Sequence, residues 1–175
     1  LNLNTKKVNV RFRYSLIVLM TATLLAACDR APKYSEVPSI SFNKIAKYRV
    51  YSPINSSYID SLAISINFQD GDGNLGNVDQ NATPNFIAEI YLKDEDNNYN
   101  LLDYSFLNGK FPPLNTTGKK GPIDGVLHQG TNMTNVYNLT QNFPKGFFKF
   151  KIRIRDEDGN FSNWTETTPI ELGPQ

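Results

Sequence analysis

The sequence predicts an all-β fold, an antiparallel β-sandwich, and three observations lead there. The first is period two. Over 61–68 the apolar residues Leu62, Ile64, Ile66 and Phe68 fall on one face. Over 148–155 Phe148, Phe150, Ile152 and Ile154 alternate with Lys149, Lys151, Arg153 and Arg155. Strict alternation marks strands with one buried and one wet face. The second is recurrent turn chemistry: Asp70-Gly71-Asp72-Gly73, the run from Asp94 to Asn98, Asn108-Gly109 and Asp158-Gly159-Asn160. Glycine there supplies positive φ, and Asn or Asp closes local side-chain bonds. The third is that no window of 12 or more residues after residue 28 carries a convincing helical stripe. Many short strands at this spacing indicate a sandwich.

Residues 1–27 read as an export segment. Lys6, Lys7, Arg11 and Arg13 precede an apolar stretch of 14 residues over 14–27. A membrane span needs about 20 residues, whereas a signal-peptide core has this length. A buried core helix would leave those four cations stranded in front of it. The stretch ends in Leu25-Ala26-Ala27-Cys28, which resembles the lipobox of bacterial lipoproteins at all four positions. That resemblance implies that Cys28 takes a thioether-linked diacylglyceryl group, becomes the new N-terminus and is N-acylated. Each buried CH₂ adds ~0.8 kcal/mol, and two or three acyl chains anchor far better than one. The alternative for Cys28 is a small buried apolar residue. Residues 28–38 then form the lipidated Cys and a polar tether with two prolines, reaching at most about 35 Å over its last ten residues. The expected location is the cell envelope: lipid-anchored at the outer membrane, on its periplasmic face or on the cell surface.

Residues 39–175 are the expected β-domain. Strands are predicted over 40–50, 61–68, 86–93, 100–107, 125–129, 135–139, 148–155 and 163–172. The stretch 111–121, with two prolines, two glycines and two lysines, reads as a long crossover loop. The four cations of 149–155 read as a solvated sheet face, balanced by neighbouring acids and guarding an edge. The run from Gly146 through Asp156, Gly159, Asn160 and Ser162 to Trp164 resembles the closing hairpin of immunoglobulin-like and fibronectin type III-like domains. That resemblance makes the sandwich immunoglobulin-like.

The segment from Phe68 through Asp70-Gly71-Asp72-Gly73-Asn74-Leu75-Gly76 is similar to one found in secreted lipoproteins of Bacteroidota that have no assigned activity. Asp156, Ser162, Asn163, Thr168, Pro169, Ile170 and Leu172 fit that group's C-terminal pattern. The resemblance spans 62–172, implies a lipid-anchored envelope β-domain and brings no catalytic residues. Asp70, Asp72 and Asn74 also stand at positions 1, 3 and 5 of a calcium loop. Positions 6 and 12, Gly and Glu in an EF-hand, are Leu75 and Asn81 here. The competing reading is a Gly/Asp turn whose side chains cap local amides. The clusters Asp94-Glu95-Asp96 and Asp156-Glu157-Asp158 read as solvated hairpin tips.

Charge and rare residues narrow the function. The formal charge is +1, but residues 1–27 hold four basic and no acidic side chains, which leaves 14 basic and 17 acidic after them. A net −3 domain speaks against nucleic acid as a partner. One Cys excludes an internal disulfide and multi-Cys metal sites. His128 is the single histidine, there is no G-x-S-x-G elbow, and the carboxylates lie in Asp-Gly and Asp-Asn turns rather than apolar settings. The chain therefore reads as no enzyme and as needing no cofactor beyond a possible Ca²⁺. The expected function is a non-catalytic binding or assembly module, held to the membrane through Cys28 and meeting an envelope protein or glycan. A glycan-binding accessory protein, with Trp164 and Tyr137 as stacking rings, is one alternative. A Ca²⁺-stabilised adhesion-type domain is another.

Overall fold

The alternation becomes strand pairing in the computed structural model, which describes residues 32–53, 56–79, 83–104, 107–131 and 133–173. Residues 1–31, including the export segment and Cys28, lie outside the described residues. Strands β1 (Ser39–Ser52) and β2 (Ser57–Asp70) form a long antiparallel hairpin, running from Ile40 opposite Phe68 to Ser52 opposite Ser57, with a bulge between Phe42 and Lys44. β3 (Phe86–Lys93) and β4 (Tyr99–Leu102) form a second hairpin. β5 (Ile123–Gly130) returns to the open side of β2. After the helix α1 (Met133–Asn142), β6 (Gly146–Ile154) pairs with β3, and β7 (Thr165–Glu166) and β8 (Ile170–Leu172) both pair with β6. The result is two antiparallel sheets, β1-β2-β5 and β4-β3-β6-β7, with β8 beside β7 on β6. The unit they form runs from Lys33 to Gln175.

The inward faces make one core. Leu62, Ile64 and Ile66 of β2 meet Phe86, Ala88 and Ile90 of β3 and Phe148, Phe150, Ile152 and Ile154 of β6 in a single buried cluster. Each such side chain contributes about 1.5–3 kcal/mol on burial. Both strongly alternating segments thus supply this core, which is why period two was so clear there.

At the edge β1 is finished by side chains rather than by another strand. Asn163 Oδ1 accepts from the Ile40 amide at 2.9 Å, and its Nδ2 donates to the Ile40 carbonyl at 2.9 Å. The Phe42 amide donates to Thr165 Oγ1 at 3.0 Å. These bonds tie the first sheet to the β6–β7 segment and satisfy an otherwise open edge.

Four expectations need correction. Residues 135–139 are not a strand; they lie inside α1. Val136, Leu139 and Thr140 are buried and Phe143 packs on the core, a spacing of i, i+3, i+4 and i+7. The stripe was there, in a helix of only 10 residues. The strand expected over 100–107 ends at Leu102. The strand expected over 163–172 is split at Thr167, whose amide and hydroxyl both bond the Phe150 backbone, and Pro169 beyond it has no N–H to offer a ladder. Finally, β6 is flanked by β3 on one side and β7 and β8 on the other, so its cations guard no edge.

Candidate functional site

The Asp-rich loop begins where β2 ends. Asp70 is the last residue of β2 and pairs with Ile123 of β5. The next residues turn sharply and are held by three distant segments. The Gly71 amide donates to Ser35 O at 2.8 Å, the Gly121 amide to Asp72 O at 3.1 Å and the Glu157 amide to Asn74 O at 3.3 Å. Gly71 and Gly73 explain their own identity. A Cβ on Gly71 would lie 2.5 Å from Tyr34 O, and one on Gly73, at φ 73°, would lie 2.5 Å from Gly121 O. Leu75 closes the loop over the core and is buried.

This packing dehydrates the loop's polar atoms. Asp70 is 0% exposed. Its Oδ2 accepts from the Gly73 amide at 3.0 Å and the Asn74 amide at 3.1 Å, an ordinary turn cap. Its Oδ1 is buried and has no partner. Asn74 Nδ2 donates to Asp72 Oδ2 and to Asp158 Oδ2, both at 2.9 Å. Asp72 Oδ1 and Asn74 Oδ1 are also buried without a partner. Burial, reinforced by the charge of Asp72 and more weakly by that of Asp156, pushes the Asp70 carboxyl up to about 6 despite the two amide donors. The expectation that no carboxylate lies in an apolar setting is therefore wrong for Asp70. Asp-Gly turns are usually wet; here segments 34–35, 111–121 and 156–160 fold over the turn, and none adjoins it in sequence.

The other two acidic turns show what a plain cap looks like. Asp94 accepts from the Asn98 amide on Oδ1 and from Asn100 Nδ2 on Oδ2, both at 2.7 Å. The Asn98 amide chiefly holds its carboxyl below the ordinary value. Asp156 accepts from the Asn160 amide at 2.7 Å and Asn160 Nδ2 at 2.8 Å. Asp94-Glu95-Asp96 is an exposed tip, whereas Asp156 is buried beneath exposed Glu157 and Asp158.

Trp164 immediately precedes β7, and Tyr137 lies on α1. Trp164 belongs to the outer face of the second sheet, with Arg153 at 4.5 Å and Lys151 at 5.4 Å from its ring centre. Arg153 also lies 4.0 Å from the Phe161 ring, and Lys149 4.7 Å from that of Tyr99. The β6 cations are thus interleaved with rings rather than simply solvated, an arrangement that contributes ~0.5–1 kcal/mol per exposed contact. Tyr137 lies on α1, beside a recess of about 190 Å³ that also meets Arg49, Tyr58 and Asp60. His128 is exposed and its Nδ1 lies 2.7 Å from Ser65 Oγ across the β2–β5 pair. Ser65 sits in a strand paired on both sides, so its neighbours' amides serve ladders rather than a developing oxyanion.

Among the described residues, no group of three or more His, Cys, Asp and Glu side chains is placed to hold a metal. The orphaned set at the loop has two carboxylates and an amide oxygen. Its sequence signal was the one-three-five spacing; its burial had none. Compared with protein-family models, curated proteins and solved structures, the chain matches none. What the fold itself defines is the class: an all-β domain of two antiparallel sheets.

Proposed function

We propose that this chain is a lipid-anchored, immunoglobulin-like domain of the cell envelope that acts as a non-catalytic binding or assembly module. The observation that carries the reading is Leu25-Ala26-Ala27-Cys28 closing a basic-then-apolar leader. The strand order supports the immunoglobulin-like part. Lettered A to G in chain order, with β7 and β8 together as the last strand, the sheets are A-B-E and D-C-F-G; A, B and E share one sheet and C, F and G the other, as in such sandwiches, while D lies beside C. The short link from Cys28 to β1 keeps the domain within about 35 Å of the bilayer, a position suited to meeting other envelope components. Ser65 lies on a strand paired on both sides and His128 faces it from the neighbouring edge strand β5, which favours a cross-strand contact over a nucleophile and base.

Mass spectrometry of the mature N-terminus, together with membrane fractionation of the Cys28→Ser variant, tests the anchor. The expected results are an acylated Cys28 and release of the variant from membranes. An uncut N-terminus, or a variant that stays membrane-bound, sinks the reading.

A second reading, glycan binding, rests on the aromatic outer face of the second sheet. Tyr91 and Tyr99 border a recess of about 140 Å³ together with Lys149 and Glu166, and Trp164 is on the same face. On this reading a glycan array gives binding that Trp164→Ala weakens and Tyr137→Ala leaves intact. Equal loss from both variants would argue against the sheet face.

A further inference from the structure

We infer that the loop from Asp70 to Asn74 is a Ca²⁺ site, with Asp70 Oδ1, Asp72 Oδ1 and Asn74 Oδ1 as its side-chain ligands. Turn capping accounts for only half of the Asp70 carboxylate. Oδ2 takes both local amides, and Oδ1, on a residue that is 0% exposed, takes none. A buried acceptor without a donor is costly. Three of them from alternate residues of a single turn are an arrangement that a cation relieves in one step. Asp94 and Asp156 begin turns of similar composition, and both oxygens of each are satisfied. The orphaned oxygens are therefore a property of this loop and not of Asp-rich turns in general.

The donor set selects the ion. Two carboxylates and an amide oxygen, with no sulfur or imidazole, suit a hard cation. Ca²⁺ accepts irregular sets of six to eight oxygens, whereas Mg²⁺ demands a near-ideal octahedron. A recess of about 220 Å³ opens against Asp72 and Asn74 and is bordered by Asn115 and Glu157, leaving room for water to complete the shell. Asp158 shares the Asn74 side-chain amide with Asp72, which fixes the orientation of that group. Because the loop backbone is already bonded to Ser35, Gly121 and Glu157, an ion here braces the approach to β1, the crossover loop and the β6–β7 turn at one point. Calcium binding is independent of whether Cys28 is acylated, so failure of the anchor leaves this site standing, and the reverse holds too.

Thermal denaturation and titration calorimetry of the purified mature chain, in chelator, CaCl₂ or MgCl₂, test the site. The expected result is one Ca²⁺ per chain and a midpoint raised by on the order of 5 °C at about ten times the dissociation constant. Asp72→Asn weakens binding by roughly tenfold or more, while Asp94→Asn leaves it unchanged. Asp72 is only half-buried, so this variant folds where Asp70→Asn could fail, and its midpoint in chelator verifies that. An unchanged wild-type midpoint at several millimolar Ca²⁺ overturns the site. So does an undiminished calcium shift in Asp72→Asn, and an equal shift with Mg²⁺ overturns the assignment to calcium.

Discussion

In chelator the domain should be more stable in mild acid than at neutral pH, the reverse of ordinary acid destabilisation. The perturbation is a shift from pH 7 to pH 5 in chelator. Asp70 carries a carboxyl raised from 3.8 to about 6, chiefly by burial. Between those values the folded chain holds a proton that the unfolded chain has lost, so folding stability falls as pH rises through the window. The penalty is present in full above pH 6 and is relieved as pH falls toward 4. Linkage over pH 7 to 5 gives about 1 kcal/mol of added stability, which for a domain of this size is a midpoint rise of roughly 4 °C. Asp94, with its lowered carboxyl, titrates below this window, and Tyr34 and Tyr91, both raised, titrate above it. Differential scanning calorimetry in chelator at pH 5, 6 and 7 is the assay. Saturating Ca²⁺ should reverse the slope, because the ligand is the deprotonated carboxylate. A chelated midpoint that rises from pH 5 to pH 7 refutes the argument.

Three further perturbations separate parts of the fold. Phe150→Ala empties a fully buried position between the sheets and should cost about 3–5 kcal/mol, read as a lower urea midpoint. Asn163→Ala removes both bonds to the Ile40 backbone and should cost roughly 1–3 kcal/mol; exchange protection lost only at the Ile40 amide, and not across β2, is the accompanying signature. Trp164 is the single tryptophan, so its emission reports on the Arg153 stack: Arg153→Ala should red-shift it and cost ~1 kcal/mol, whereas an unchanged spectrum would mean that guanidinium and ring do not stack in solution.

Much of the architecture could be read locally. The strand over 86–93 appears with those bounds, and 61–68 lies inside a longer β2, because a half-buried strand carries its exposure pattern in every second residue. The turn at 156–160 was legible as a turn, although the burial of Asp156 beneath it was not. Asp156 caps the Asn160 amide, Gly159 takes φ 93°, and Ser162 Oγ accepts from the Ile154 amide at 3.0 Å. The helix was missed because its stripe of Val136, Leu139 and Phe143 is short and set among polar residues. The role of the β6 cations was misjudged because an edge strand and a central strand with the same alternation look alike until their neighbours are known.

The Asp70–Asn74 loop shows where local reading stops. Its spacing of oxygen-bearing side chains is a property of five consecutive residues, and the sequence by itself determined it, together with two alternating strands. Only the tertiary structure decided which of those oxygens lose water. Asn74 meets Asp158 across 84 residues of chain, and Ser35, Gly121 and Glu157 arrive from three separate segments. Hydration of a carboxylate depends on everything packed around it, and no period or propensity within a short window carries that information.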